Sequence, residues 1–133
     1  PIEVLERQAN LFHEELTLIP GSGGIGQYRG GLGIRRKVSM TGETEVISMK
    51  KKSKTVGWGL DGGQPSSVKN HMVLWPDTPK EKKVGMYRET LKAGEAFVNF
   101  SAGGAGWGDP ANRDPSATTD DILDGLCGSM SNL

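Results

Sequence analysis

Glycine fixes most of what this chain can become. It makes up 20 of the 133 residues, about twice the usual ~7%, and it is clustered. Tyr28-Arg-Gly-Gly-Leu-Gly-Ile34 and Gly103-Gly-Ala-Gly-Trp-Gly-Asp-Pro110 each set several glycines around one or two large side chains. Glycine is used this densely where backbone takes positive φ or approaches another group closely. It also disfavours helix. The expectation is a mainly β chain of short strands and glycine-rich turns, sandwich or barrel-like, with little helix.

Hydrophobic alternation places the strands. Phe12, Leu16 and Leu18 recur with a period of two opposite His13, Glu15 and Thr17, which reads as a half-buried strand with Glu14 the misfit on its apolar side. Pro20-Gly-Ser-Gly-Gly24 ends it. Residues 33–40 and 44–49 form the next pair, and Thr41-Gly42 between them predicts a hairpin. Residues 71–75, 84–89 and 95–100 complete the strand set, with Lys92-Ala-Gly94 turning before the last. Ile2, Val4 and Leu5 in the first six residues fit a strand or a docking arm. The one predicted helix comes last. Asp114-Pro115 leads in, Thr118-Thr-Asp-Asp121 fits a capping box, and Ile122, Leu123, Leu126 and Cys127 form its apolar face. Aspartates in its first turn suit the positive end of the helix dipole.

The bulk numbers exclude more than they select. At 133 residues the chain is read as a single domain, 1–133, with a modest core. Sixteen Lys and Arg balance sixteen Asp and Glu, so nothing in the total points to nucleic acid or a membrane surface. No apolar run approaches the ~20 residues of a membrane span, and no signal peptide is expected. The single cysteine, Cys127, cannot form an internal disulfide, which favours a reducing, cytoplasmic compartment. The chain starts at Pro1, read as a processed start or a piece of something longer.

Motifs for chemistry are weak. Gly21-Ser-Gly-Gly-Ile-Gly26 matches G-x-G-x-x-G, but that fingerprint needs a helix to open there, and residues 27–33 are poor helix formers. His13, His71 and Cys127 lie far apart without metal-ligand spacing, so no metal site is expected. No nucleophile motif occurs. Lys50-Lys-Lys-Ser-Lys54 is a solvated loop or, alternatively, a site for an acidic ligand. Trp58 and Trp107 each sit between glycines, and a ring on so thin a backbone is either a core plug or an anchor into a neighbouring chain.

Five segments, in order, resemble the hydantoinase B family: residues 1–6, 22–34, 57–65, 103–115 and 120–126. That family includes the B subunit of ATP-dependent N-methylhydantoinases, the matching half of 5-oxoprolinase, and subunits of acetone and acetophenone carboxylases. The resemblance is to the C-terminal domain of members several times longer. It implies an excised fragment or, as the 133-residue length favours, a naturally split small accessory subunit of an acetophenone carboxylase-type ligase. Such a subunit belongs to an enzyme complex without being catalytic on its own. The resemblance further implies a larger kinase-like A-type partner and a larger B-type partner. ATP and a divalent cation are expected on those partners, with no cofactor on this chain. No family catalytic residue is carried over. Interface or cavity-lining roles are expected for Tyr28, Arg29, Gly30, Gly31, Trp58, Gly103, Gly104, Gly106, Trp107 and Asp109. A free-standing β module binding an acidic ligand through Lys50–Lys54 is the reading from another class.

Overall fold

The computed structural model describes residues 1–51 and 53–127; Lys52 of the basic run lies outside the described residues. Two compact units share the chain. The first comprises Pro1–Thr17, Arg35–Ser53 and Asn70–Phe100, and the second Leu18–Ile34, Lys54–Lys69 and Ser101–Leu133.

The first unit is antiparallel β. Its elements are α1 (Ile2–Gln8), β1 (Leu11–Ile19), β2 (Gly33–Met40), β3 (Thr44–Met49), β4 (His71–Leu74), β5 (Lys82–Val84), β6 (Met86–Leu91) and β7 (Ala96–Phe100). Five strands form one sheet in the order β1-β2-β7-β4-β5, and β3 with β6 forms a second. Neither sheet closes into a barrel. Val38, Met40 and Leu91 make one buried cluster, and Met72, Leu74 and Val84 a second. Val46, Trp75 and Phe97 pack against both. The core therefore lies between the sheets, fed by alternate residues of each, as in a sandwich.

Several expectations are corrected here. The first six residues are neither strand nor arm, because α1 is helical; Glu3 in its first turn and Arg7 in its last have the i,i+4 spacing that supports a helix. β1 lies where alternation put it, but its faces are reversed. Phe12 and Leu16 are 52% and 55% exposed, Leu18 is exposed too, while His13 and Glu15 turn inward. Both inward side chains face a polar neighbour: His13 Nδ1 lies 3.5 Å from Glu6 Oε1, and Glu15 pairs with Arg35.

The predicted hairpin does not form. β2 pairs with β7 (Val38↔Phe97) and β3 with β6 (Ile47↔Arg88). The Thr41-Gly42 turn is a corner that carries the chain from one sheet to the other. The Lys92–Glu95 turn is a second corner. The two are tied together by Met40 N–H to Glu95 O and Gly94 N–H to Met40 O, both 2.8 Å. The strand expected at 84–89 is likewise broken at Gly85, where β5 leaves the first sheet and β6 enters the second.

In the second unit a 3₁₀ turn (Pro110–Asn112) precedes α2 (Pro115–Leu123). The helix starts before the predicted capping box. Asp114 is its N-cap, accepting from the Ser116 amide at 2.9 Å, with Pro115 at the first helical position. No acidic residue sits in its first turn. Its expected apolar face is open, with Ile122 exposed and Leu123 79% exposed, and its buried residue is Asp121.

Candidate functional site

The three glycine-rich segments converge in the second unit. Gly24 N–H donates to Gly104 O, Gly104 N–H to Gly31 O, Gly106 N–H to Gln64 O and Gln64 N–H to Ile25 O, at 2.7–2.9 Å. These loops satisfy one another's backbone without forming regular strands. Glycine is obligatory at the crossings: a Cβ on Gly30 would overlap the Gly104 carbonyl, and one on Gly106 the Ile25 carbonyl. Gly31 differs, since nothing lies within 4 Å of the position its Cβ would take. Below the crossings Ser22 is fully buried. Its hydroxyl donates to Ile19 O at 2.6 Å and accepts from Gly33 N–H at 2.7 Å.

The weave carries aromatic side chains outward. Tyr28 and Trp107 exchange both backbone hydrogen bonds at 3.0 Å, and Leu60 bridges the other side of Trp107 in parallel. The Tyr28 and Trp107 rings lie 5.7 Å apart at 41°. Tyr28 is 63%, Trp107 46% and Trp58 79% exposed, and Leu60 and Ile25 are exposed as well. The core-plug alternative for Trp58 and Trp107 is thereby excluded. Tyr28, Trp107 and Leu60 are joined by these backbone bridges and exposed together.

One charged cluster anchors the weave to α2. Asp121 accepts from Arg29 Nε and Nη2, both at 2.8 Å, and from Arg113 Nη2 at 2.6 Å. Arg29 also donates to Gly30 O at 3.0 Å, and Arg113 to Gln27 O at 3.3 Å. The Arg29 hydrogen bonds, then the charges of both arginines, hold the Asp121 carboxyl below its ordinary range against the opposing effect of burial. The same bonds raise Arg29. This bidentate fork leaves the arginines few free donors, so the cluster reads as a clamp.

The expected site residues therefore divide. Gly30, Gly103, Gly104 and Gly106 form the crossings; Tyr28, Trp58 and Trp107 form the outward patch; and Arg29 belongs to the clamp. Asp109 stands apart as the N-cap of the 3₁₀ turn, bound to the Ala111 amide at 2.9 Å. Sequence reasoning missed Asp121 and Arg113 as partners of Arg29, and Leu60 as a further member of the patch. No helix opens at Gly21–Gly26, which runs through turns to the Tyr28 bridge. In the first unit, the His71 ring stacks on Phe100 at 4.4 Å. Lys50 is half-buried and donates to Phe100 O at 3.3 Å. Burial, with Arg36 nearby, lowers its pKa.

The second unit is thus a glycine weave with exposed aromatic side chains, and the first a small antiparallel β-sandwich. Residues 1–110 match the model of the hydantoinase B/oxoprolinase family, and the chain belongs to that family. It is 28% identical to the caprolactamase β subunit of Pseudomonas jessenii, over 94% of this chain and 22% of the relative. It is 25% identical to the acetone carboxylase α subunit of Xanthobacter autotrophicus, over 93% of this chain and 20% of the relative. A solved acetone carboxylase structure, nucleotide-free, superposes with a TM-score of 0.80 at 22% identity, covering 97% of this chain and 22% of that one. The chain thus spans about a fifth of the length of these two relatives. Among the described residues, no helix is long and apolar enough to cross a membrane.

Proposed function

We propose that this chain completes a hydantoinase B-type subunit within a cytoplasmic, ATP-dependent carboxylase of aromatic or aliphatic ketones, of the acetophenone carboxylase kind. Its role is structural. ATP and a divalent cation bind partner subunits, a kinase-like A-type chain and a larger B-type chain. Tyr28, Trp58, Leu60 and Trp107 anchor it to the B-type body, over rigid turns built on Gly30, Gly103, Gly104 and Gly106.

The observation that carries this reading is the end-to-end match to about a fifth of the acetone carboxylase α subunit. A region that recurs as a minor part of a longer chain is expected to work as a part. The exposed aromatic patch supports the same reading, since Trp and Tyr are the residues most enriched at interface hot spots. The test is the native mass of the protein purified from its source, with co-eluting chains identified, followed by ketone-dependent ATP hydrolysis. A large assembly that hydrolyses ATP in response to a ketone supports the proposal. Elution alone near 14.2 kDa overturns it.

A second reading places the chain in an ATP-dependent amide-hydrolysing enzyme, as a fragment of an N-methylhydantoinase or 5-oxoprolinase B-type region. The higher identity to the caprolactamase β subunit favours it. ATP hydrolysis elicited by a cyclic amide, and not by a ketone, would select this branch. For the free-standing acidic-ligand module, Lys50 donates to its own sheet while Lys51 and Lys54 are exposed.

A further inference from the structure

β1 leaves an open sheet edge that is chemically unlike the aromatic patch. β1 ends the five-stranded sheet, with β2 on one side only. Along a strand, backbone N–H groups point alternately to the two edges. The His13 amide is taken by the Glu6 carboxylate of α1 and the Leu11 amide by Ala9 O at 2.8 Å, so the odd-numbered amides face away from β2. α1 therefore caps the first half of this edge. The next outward amides, Glu15 and Thr17, lie beyond that cap.

The side chains there fit a partner strand. Phe12 and Leu16 are more than half exposed. The charges usually placed on an edge to repel another strand are neutralised: Glu14 pairs with Lys37 at 3.0 Å and Glu15 with Arg35. The edge thus combines exposed apolar side chains at Phe12 and Leu16 with carboxylates already paired to β2, and it is open for about two hydrogen-bond repeats.

We infer that the β1 edge at residues 14–17 takes an extended, uncharged, apolar segment of the hydantoinase B-type body as an added strand. The occupant is argued from length: the matched relatives hold about four-fifths of their sequence outside this region. Being joined to this region in one chain, that remainder is held near the edge at high effective concentration. The inference rests on the proposed function for its partner, but it uses a different surface.

The experiment is hydrogen exchange on the assembly purified from its source, read by mass spectrometry over residues 11–19. The Glu15 and Thr17 amides are expected to exchange at least tenfold more slowly than in the isolated chain. Thr17→Pro removes one outward N–H at a position where an edge strand tolerates proline. Leu16→Lys restores a repelling charge. Each should cut retention of the B-type body at least tenfold while circular dichroism stays unchanged. If the assembly holds the B-type body but those amides exchange freely, or both variants assemble as wild type does, the strand-addition inference fails and the proposed function stands. Protection in a homodimer would overturn it, because the occupant would be a second copy. A chain that elutes alone and well folded overturns both readings.

Discussion

The two units are built on opposite principles. The first buries side chains: all seven buried apolar residues among those described, Val38, Met40, Met72, Leu74, Val84, Leu91 and Val98, belong to it. Of the 20 glycines, it holds only Gly42, Gly85 and Gly94. The second buries backbone. Its glycines let main chains meet where side chains would stand, and its buried polar residues are Ser22, Ser66 and the clamped Asp121. An apolar core is driven by area removed from water. A glycine weave gains little from that term and depends on hydrogen bonds and shape. It should therefore tolerate change poorly at its crossings and well elsewhere.

The sharpest way to break this contrast is to add one carbon at a crossing. Gly106→Ala should destabilise by about 4 kcal/mol or more, in the range reserved for severe steric conflict, as read by denaturant unfolding. A cost under ~1 kcal/mol would mean that the weave is loosely held. Leu74→Ala, in the first unit, should cost about 3 kcal/mol through the cavity it leaves. Asp121→Asn should cost about 3 kcal/mol, since it leaves two arginines without their shared carboxylate. That variant also sharpens the comparison through pH. The folded carboxyl is held below its ordinary pKa, so its stabilisation is complete above about pH 5 and is lost as pH falls through the depressed value. Wild type should lose this increment in acid and Asp121→Asn should not, which thermal melts from neutral pH to about pH 3 would reveal. The smallest effects belong to Gly31→Ala and Leu123→Ala, each expected within ~0.5 kcal/mol because one position is open and the other exposed.

What was legible in the sequence follows the same division. β1, β4 and β7 could be placed because alternation and flanking turn residues are local signals. Which sheet a strand joins is not local. Val38, Met40 and Val46 alternate correctly whether β2 and β3 form a hairpin or face each other across a core, so Thr41-Gly42 was misread. The reversed faces of β1 had the same origin: Glu15 is inward only because Arg35 on another strand meets it. In α2, Thr118-x-x-Asp121 imitated a capping box while Asp114-Pro115, the true start, was also on view. Asp121 could not be recognised as a clamp, since Arg29 lies 92 residues away. The glycine clusters did mark the weave, but left Trp58 and Trp107 open between inward and outward placement, which their exposure decides. Sequence could not tell Gly31, with open space, from Gly106, with none.

The strand order β1-β2-β7-β4-β5 also sets a timetable. β2 finds its central partner in β7, about sixty residues further along the chain, and such distant pairings form slowly because a long loop must close first. On a ribosome adding ~5–20 residues per second, β2 waits several seconds with Val38 and Met40 uncovered. The sheet can close only after residue 100 has emerged, with the last glycine segment following directly behind it. Whatever shields that nascent strand, a chaperone or an early-bound partner, has its chance in this interval, before the finished fold hides the residues it would hold.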